Sequence, residues 1–279
     1  MGVEFRNIED ATKCLLGESV SIINQHTRDY VIIGGWSPFL RYNKDNIHPG
    51  TKDVDVLFHD AAKEGALAEI FRLFFEKGFL MSAKHEFQLI KLYKVSGKEL
   101  AFNVDILHPT KYDHKLDDDM FVKQLDLKVP ISSLKTSTLM AKSIVQPNAE
   151  SIFTEKMHSL FKVDFKNSEG QDEESEFELL DDIGCIFSKA ISCQSAKRQR
   201  DSFDIYMTIK NNDNYNGLVK RIQALKDSES SAYNSFITLK GFYEKDNAMY
   251  NNTSKFMKDL GQNEFNQIMK KFFEDARII

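Results

Sequence analysis

The feature that most constrains the fold is a six-residue segment, residues 53–58, whose first four residues alternate between acidic and apolar. It begins with Asp53, Val54, Asp55 and Val56. Such alternation is typical of a β-strand, because successive side chains of a strand point to opposite faces of the sheet. The two aspartates are therefore expected on one face and the two valines on the other. The apolar flanks indicate a buried strand, and buried strands seldom carry carboxylates without a purpose.

Two other segments are expected to be strands of the same sheet. Residues 30–33 form an apolar run that ends at Gly34 and Gly35, as a short buried strand does. Residues 100–107 form the second arm of a predicted hairpin and carry Asp105. The sequence thus predicts three carboxylates on neighbouring strands and a glycine turn at the end of another strand.

The distribution of helical and strand-like patterns predicts an α+β fold. Apolar residues recur with helical spacing in residues 7–26 and 61–77, and this spacing dominates the second half of the chain. We therefore expect a catalytic domain with a small mixed β-sheet in residues 1–130, followed by an α-helical domain in residues 131–279. The strongly acidic residues 168–182 are expected to form a solvated loop or helix face.

Composition excludes several classes of protein. The three cysteines, Cys14, Cys185 and Cys193, are scattered and form no Cys-x-x-Cys pair, which disfavours a zinc cage or a disulfide framework and favours buried, reduced thiols. The acidic start of the chain is unlike a signal peptide, and no apolar run reaches the ~20 residues that span a bilayer. A cytoplasmic protein without membrane contact is expected. The net charge of −5 gives no argument for a large nucleic-acid footprint.

The three carboxylates and the glycine turn suggest phosphate chemistry. Two aspartates at positions i and i+2 of one strand repel each other unless a cation neutralises them, and Mg²⁺ or Mn²⁺ prefers oxygen ligands. A third carboxylate on the next strand would complete a site for two ions on a nucleoside triphosphate. Backbone amides at a glycine turn before a helix can approach phosphate groups. The simpler alternative is that the aspartates only line a solvated sheet face.

These segments resemble a known family. Residues 34–37 (Gly-Gly-Trp-Ser) and 50–55 (Gly-Thr-Lys-Asp-Val-Asp) resemble the first motif of the DNA polymerase beta-type nucleotidyltransferase superfamily, and residues 103–106 (Asn-Val-Asp-Ile) resemble its third carboxylate. Residues 153–160 and 197–206 are similar to helical motifs of AbiEii-type nucleotidyltransferases. Those enzymes are toxin components of abortive-infection and toxin–antitoxin systems. The resemblance implies a nucleotidyltransferase fold for the first domain.

The resemblance also implies roles for individual residues. The implied metal ligands for Mg²⁺ or Mn²⁺ are Asp53, Asp55 and Asp105. The implied catalytic residues are these three together with Lys156 and Asp204. The implied nucleotide-binding residues are Gly34, Gly35, Trp36, Ser37, Lys156, Arg200 and Asp201. Lys142 is an alternative to Lys156 as the lysine that contacts the phosphates. Trp36 could stack on a base or pack in the core.

The implied reaction is transfer of a nucleoside monophosphate from a nucleoside triphosphate to an acceptor hydroxyl. Transfer RNA, a protein or a small molecule could each supply that hydroxyl, and a toxin role would imply a cognate antitoxin as partner. Two alternatives stay open. One is a kinase-like phosphotransferase on the same fold. The other is a degenerate scaffold that binds a protein, which is favoured by Gly-Gly-Trp standing where many relatives have Gly-Ser.

Overall fold

The computed structural model describes residues 3–43, 48–59, 64–82, 85, 87–109, 121–130, 138–146 and 148–278, with the backbone alone for residues 64–66, 121–130 and 138–142. The described residues form two compact units. Unit 1 comprises residues 1–33, 51–154 and 158–179, and unit 2 comprises residues 34–50, 155–157 and 180–279. The fold is a mixed α/β structure with a helical C-terminal region.

The described strands all belong to one sheet, which lies in unit 1 except for Leu180 at the end of β10. They are β1 (Glu4–Phe5), β2 (Tyr30–Ile33), β3 (Asp53–Phe58), β4 (Leu80–Met81), β5 (Gln88–Val95), β6 (Lys98–Pro109), β7 (Phe121–Pro130), β8 (Thr138–Gln146), β9 (His158–Lys166) and β10 (Asp172–Leu180). The helices are α1 (Ile8–Ile23), α2 (Trp36–Tyr42), α3 (Glu64–Glu76), α4 (Glu150–Thr154), α5 (Asp182–Lys189), α6 (Arg200–Lys210), α7 (Tyr215–Asp227), α8 (Tyr233–Tyr243), α9 (Ala248–Ser254) and α10 (Gln262–Asp275). Of these, α1, α3 and α4 belong to unit 1.

The sheet is mixed, and its central strands carry the predicted aspartates. The strand order along the main path is β1-β5-β6-β3-β2-β10-β9. Strand β3 is parallel to β6 and antiparallel to β2, while β8 is parallel to the end of β6 and antiparallel to β7. The inward-facing residues of the two central strands are almost fully buried, namely Val54, Val56, Val104 and Ile106. This burial fixes the register, because a slip of one residue would exchange the two faces.

Local sequence signals explain the elements that flank these strands. Helix α1 begins after Asn7, whose side chain accepts a hydrogen bond from the backbone N–H of Asp10. The β5–β6 hairpin turns at Ser96 and Gly97, which both have positive φ (47° and 80°), as a type I′ turn requires. The predictions of helices in residues 7–26 and 61–77 and of this hairpin are confirmed, although residues 61–63 lie outside the described residues.

The expected division of the chain at residue 130 is wrong. Unit 1 continues through β9 to residue 179, and unit 2 takes in residues 34–50 from the first half of the chain. The expectation that strands end before residue 130 is also wrong, because β8, β9 and β10 follow it. The prediction grouped residues that are close along the chain, whereas a compact unit is defined by packing between segments that are distant along the chain.

The acidic stretch is a second correction. Most of it forms strand β10 rather than a solvated loop or helix face. Its alternate residues Ser175, Phe177 and Leu179 are buried, while the glutamates between them point outward. The charged residues therefore occupy one face of a half-buried strand, which is the normal pattern for a sheet with one solvated face.

The prediction that the cysteine thiols are buried is confirmed. All three thiols are free and buried. Burial raises the pKa of Cys185 and Cys193 to about 12 and that of Cys14 even further above its ordinary value. Among the described helices, none has the length and apolar character needed to cross a membrane.

Candidate active site

The aspartates of the central strands lie side by side on one face of the sheet. In the parallel β3–β6 pair, Asp53 is the register partner of Asn103, and Asp55 is the register partner of Asp105. Residues that are partners in register point to the same face, and so do residues two apart on one strand. All four side chains are half-buried, between the buried core face and open solvent. The predicted grouping of three carboxylates on one face is thus what the register produces.

Two of the carboxylates are oriented by neighbouring polar side chains. The Thr51 hydroxyl donates a hydrogen bond of 2.6 Å to Oδ1 of Asp53. The Gln88 side-chain amide donates one of 2.8 Å to Oδ1 of Asp105, from the directly opposed position on β5. Sequence reasoning missed both partners. A Thr two residues before an Asp is a recognisable local signal, whereas the Gln88 contact depends on the hairpin register.

The chemistry of this face fits a hard divalent cation, because Mg²⁺ prefers oxygen ligands and binds carboxylates readily. The positions of the described side chains do not form a complete metal site. Within the part of the chain that the structure describes, no three His, Cys, Asp or Glu side chains converge as a metal-binding group. The face therefore offers the right ligand type on adjacent strands without a closed cage.

The Gly-Gly-Trp-Ser segment forms the turn into α2. Gly34 has φ of +78°, a conformation that glycine adopts without strain, and Gly35 is the N-cap of the helix. Trp36 is only 1% exposed and packs edge-to-face against Phe39 at 5.8 Å between ring centroids. Of its two predicted roles, this placement favours core packing over base stacking. The Ser37 hydroxyl is buried and donates to a backbone carbonyl, that of Leu180, at 2.8 Å.

Lys156 lies in a turn and not on a helix, which corrects the expectation of a helical motif over residues 153–160. Helix α4 ends at Thr154, and strand β9 begins at His158. Lys156 has φ of 49° and an exposed side chain, and its carbonyl accepts a 2.8 Å hydrogen bond from Arg221. The backbone of the alternative lysine, Lys142, is in β8, and its side chain lies outside the described residues.

Helix α6 carries the remaining predicted residues, and both of its aspartates are buried in a charge network. Oδ2 of Asp204 lies 2.8 Å from Nζ of Lys189, and the same ammonium group lies 2.7 Å from Oδ1 of Asp201. Asp201 also accepts a 2.7 Å hydrogen bond from Ser192. Asp204 and Asp201 therefore contact a buried lysine on α5, and both are 10% exposed or less at the side chain.

A loop residue completes this network from a distant part of the chain. Nδ1 of His48 accepts a hydrogen bond from the N–H of Gly50, which assigns the ring proton to Nε2. Nε2 lies 3.1 Å from Oδ1 of Asp204, and both side chains are fully buried. Arg200 joins the same loop to α6 by donating a 3.0 Å hydrogen bond to the carbonyl of Gly50. Thus α6 holds residues 48–50 through two of its side chains.

The network keeps its charges ionised. Burial alone would raise the pKa of Asp204, but the Lys189 ammonium, the His48 hydrogen bond and the Arg200 guanidinium hold it at about 2. Burial alone would lower the pKa of Lys189, but Asp201 and Asp204 raise it well above its ordinary range. Lys189 was missed by sequence reasoning. A lysine four residues after the buried Cys185 on an apolar helix face was the available signal.

The structure divides the predicted residues between the two units. The three aspartates of β3 and β6 belong to unit 1, while the glycine turn, Lys156 and the α6 residues belong to unit 2. Each of these two groups of residues lies within a single unit. A comparison of the sequence with protein-family models and with curated proteins gives no match.

Proposed function

We propose that this chain is a metal-dependent nucleotidyltransferase with a nucleotidyltransferase fold. It would transfer a nucleoside monophosphate from a nucleoside triphosphate to an acceptor hydroxyl and release pyrophosphate. The observation that carries the proposal is the β3–β6 register, which pairs Asp55 with Asp105 and puts Asp53 on the same face. Three carboxylates on adjacent strands concentrate negative charge, which a bound divalent cation would neutralise.

In this proposal, Asp53, Asp55 and Asp105 hold Mg²⁺ or Mn²⁺. When bound, the metal supplies charge neutralisation on the triphosphate and activation of the acceptor hydroxyl. Through their hydrogen bonds, Thr51 and Gln88 keep the carboxylates of Asp53 and Asp105 in fixed orientations. Fixed orientation matters because a metal site that must reorganise its ligands loses affinity and rate.

Two cationic side chains, Lys156 and Arg200, are proposed to bind phosphate, as the resemblance implies. Lys156 is exposed, and Arg200 keeps about a third of its side chain exposed while one of its nitrogens contacts Gly50. A guanidinium suits phosphate oxygens because of its planar set of donors. We assign Asp201 and Asp204 a different role from the predicted one. Since both are buried against Lys189, they position α6 and Arg200 and do not touch substrate.

The acceptor class stays open between RNA, including transfer RNA, a protein and a small molecule. The net charge of −5 is small and acidic, so extended phosphate contacts are not favoured by the chain as a whole. Lys197 and Arg198 are exposed just before α6 and supply a local basic site. A cognate antitoxin and a cytoplasmic setting belong to the same proposal, as implied by the resemblance to AbiEii-type toxins.

The proposal is tested by the position of the label that reaches the acceptor. Purified protein is incubated with Mg²⁺, total cellular RNA and protein, and each nucleoside triphosphate labelled at either the α- or the γ-phosphate. Label from the α-position on an RNA or protein band supports nucleotidyl transfer and names the acceptor class. Label only from the γ-position would indicate a kinase-like phosphotransferase instead.

A second candidate function is a non-catalytic scaffold. It is favoured by the finding that, among the described side chains, no three potential ligands converge as a metal-binding group. Calorimetry with each triphosphate and Mn²⁺ separates the two, because a scaffold without a metal site would bind no nucleotide in a metal-dependent way. Absence of both binding and transfer would overturn the enzymatic proposal.

A further inference from the structure

Strand β9 is the last strand in the order of the sheet, and one of its faces is exposed to solvent. It pairs with β10, and within the described part of the chain no other strand pairs with it. Alternate residues Leu160, Lys162, Asp164 and Lys166 are exposed, and Leu160 is 57% exposed. A nine-residue strand at a sheet edge presents a row of backbone donors and acceptors that can pair with another strand.

The sequence of β9 is complementary to itself when read in the opposite direction. Residues 161–165 are Phe-Lys-Val-Asp-Phe, with Val163 at the centre. If two such strands run antiparallel about Val163, the Lys162 of each lies opposite the Asp164 of the other. Opposed residues of an antiparallel pair lie close enough for their charges to interact. Leu160 then lies opposite Lys166, whose methylene chain can cover it.

Within one chain, the exposed charges of β9 are only partly paired. Lys162 contacts Glu174 at 2.9 Å and Glu176 at 3.8 Å on the neighbouring strand β10, and these two carboxylates, with a smaller contribution from Asp164, raise the pKa of Lys162. Asp164 itself forms no hydrogen bond or ion pair with a described residue, and its side chain is exposed on the same face. The opposite face of the strand is occupied, since Val163 and Phe165 are buried. A second copy would thus add partners for an exposed acidic group without disturbing the core.

We propose that two copies of this chain associate edge to edge through β9, antiparallel about a two-fold axis at Val163. The contact is isologous, because each copy contributes the same strand. The two sheets become one continuous sheet, and two Lys162–Asp164 pairs form across the axis. The backbone ladder supplies the affinity, while the charge pairs fix the register, since exposed pairs contribute little energy by themselves.

Charge reversal tests the proposal in full-length protein. Lys162→Asp and Asp164→Lys are made separately, and the mass of each protein is measured by sedimentation and by light scattering over a wide concentration range. Wild type is expected to dimerise with rising concentration. Each single variant places like charges opposite each other twice and is expected to stay monomeric. An equal mixture of the two variants restores both attractions and is expected to form a heterodimer.

The controls separate interface effects from folding effects. Lys220→Asp reverses an exposed charge on α7 in unit 2 and is expected to dimerise like wild type. Circular dichroism and melting temperature check that both β9 variants are folded. Folded variants are expected, because both substituted positions are exposed. A wild-type protein that remains monomeric throughout would overturn the proposal. So would a dimer that is insensitive to both reversals, or a mixture of the two variants that remains monomeric.

Discussion

Asp55 and Asp105 occupy the same register position on the neighbouring parallel strands β3 and β6, so their carboxylates leave the same face of the sheet. Like charges in directly opposed positions destabilise a sheet. Asp53 adds a third acidic group two residues away on β3. A divalent cation bound at this face would neutralise these charges, which is the physical reason for proposing a metal-binding face here.

Mg²⁺ is therefore expected to stabilise the folded protein through this face. Titration with Mg²⁺ or Mn²⁺ should raise the melting temperature of wild type, because a ligand that binds only the folded state stabilises it. Asp55→Asn should remove most of this increase.

Glu99→Gln is the matched control for that measurement. Glu99 lies on β6 like Asp105, but it is exposed near the hairpin turn. Its substitution also removes one negative charge, so it reports the non-specific effect of net charge. A metal-induced increase that is equally reduced in Glu99→Gln and Asp55→Asn would contradict a specific role for the aspartates.

Asp204 is expected to be important for stability. Its side chain is fully buried between Lys189 and His48. Asp204→Ala should lower the free energy of unfolding by about 3 kcal/mol, because it leaves a buried ammonium with one carboxylate fewer and a buried imidazole N–H without its acceptor. Urea unfolding measures the change. Asp259→Asn, at an exposed position, should stay within about 0.5 kcal/mol of wild type.

The same carboxylate should contribute a pH-dependent term. Its pKa is about 2 in the folded protein against an ordinary value of 3.8. A group whose pKa is depressed by folding stabilises the protein above its unfolded value, and this contribution is lost as pH falls towards the folded value. The unfolding free energy of wild type should therefore decrease between about pH 4 and pH 2 more steeply than that of Asp204→Asn. Equal slopes would contradict the ion pair with Lys189.

Two glycines of unit 2 should respond in opposite directions to alanine. A methyl group at Gly184 would lie 2.1 Å from the backbone oxygen of Met157, so Gly184→Ala should destabilise the protein by about 2–3 kcal/mol. At Gly241 in helix α8, no atom lies within 4 Å of an added methyl group. Gly241→Ala should stabilise by about 0.5–1 kcal/mol, because alanine favours the helix. Thermal or urea unfolding of both variants compares the signs directly.

The sequence predicted those parts of the fold whose determinants are local. Helices α1 and α3 and the β5–β6 hairpin follow from apolar spacing and turn residues over a few positions. Alternation in residues 53–56 predicted which face the aspartates occupy. Strand β10 was missed because its charge outweighed its alternation, although Ser175, Phe177 and Leu179 already carried the period of two.

The remaining features depend on contacts between distant segments. The link between His48 and Asp204 joins residues 156 positions apart, and nothing around either residue encodes the other. Lys189 is ionised in a buried site only because Asp201 and Asp204 approach from another helix. The division into units has the same origin, since residues 34–50 pack with the C-terminal helices.

The most direct test of the central claim is transfer of α-labelled nucleotide by wild type, Asp55→Asn and Glu99→Gln, with Mg²⁺ and the acceptor mixture. The account predicts labelled acceptor with wild type and Glu99→Gln, and a loss of about 100-fold or more with Asp55→Asn, because a metal ligand supplies several kcal/mol of transition-state stabilisation. Transfer by Asp55→Asn at the wild-type rate, with its fold intact by circular dichroism, would contradict it.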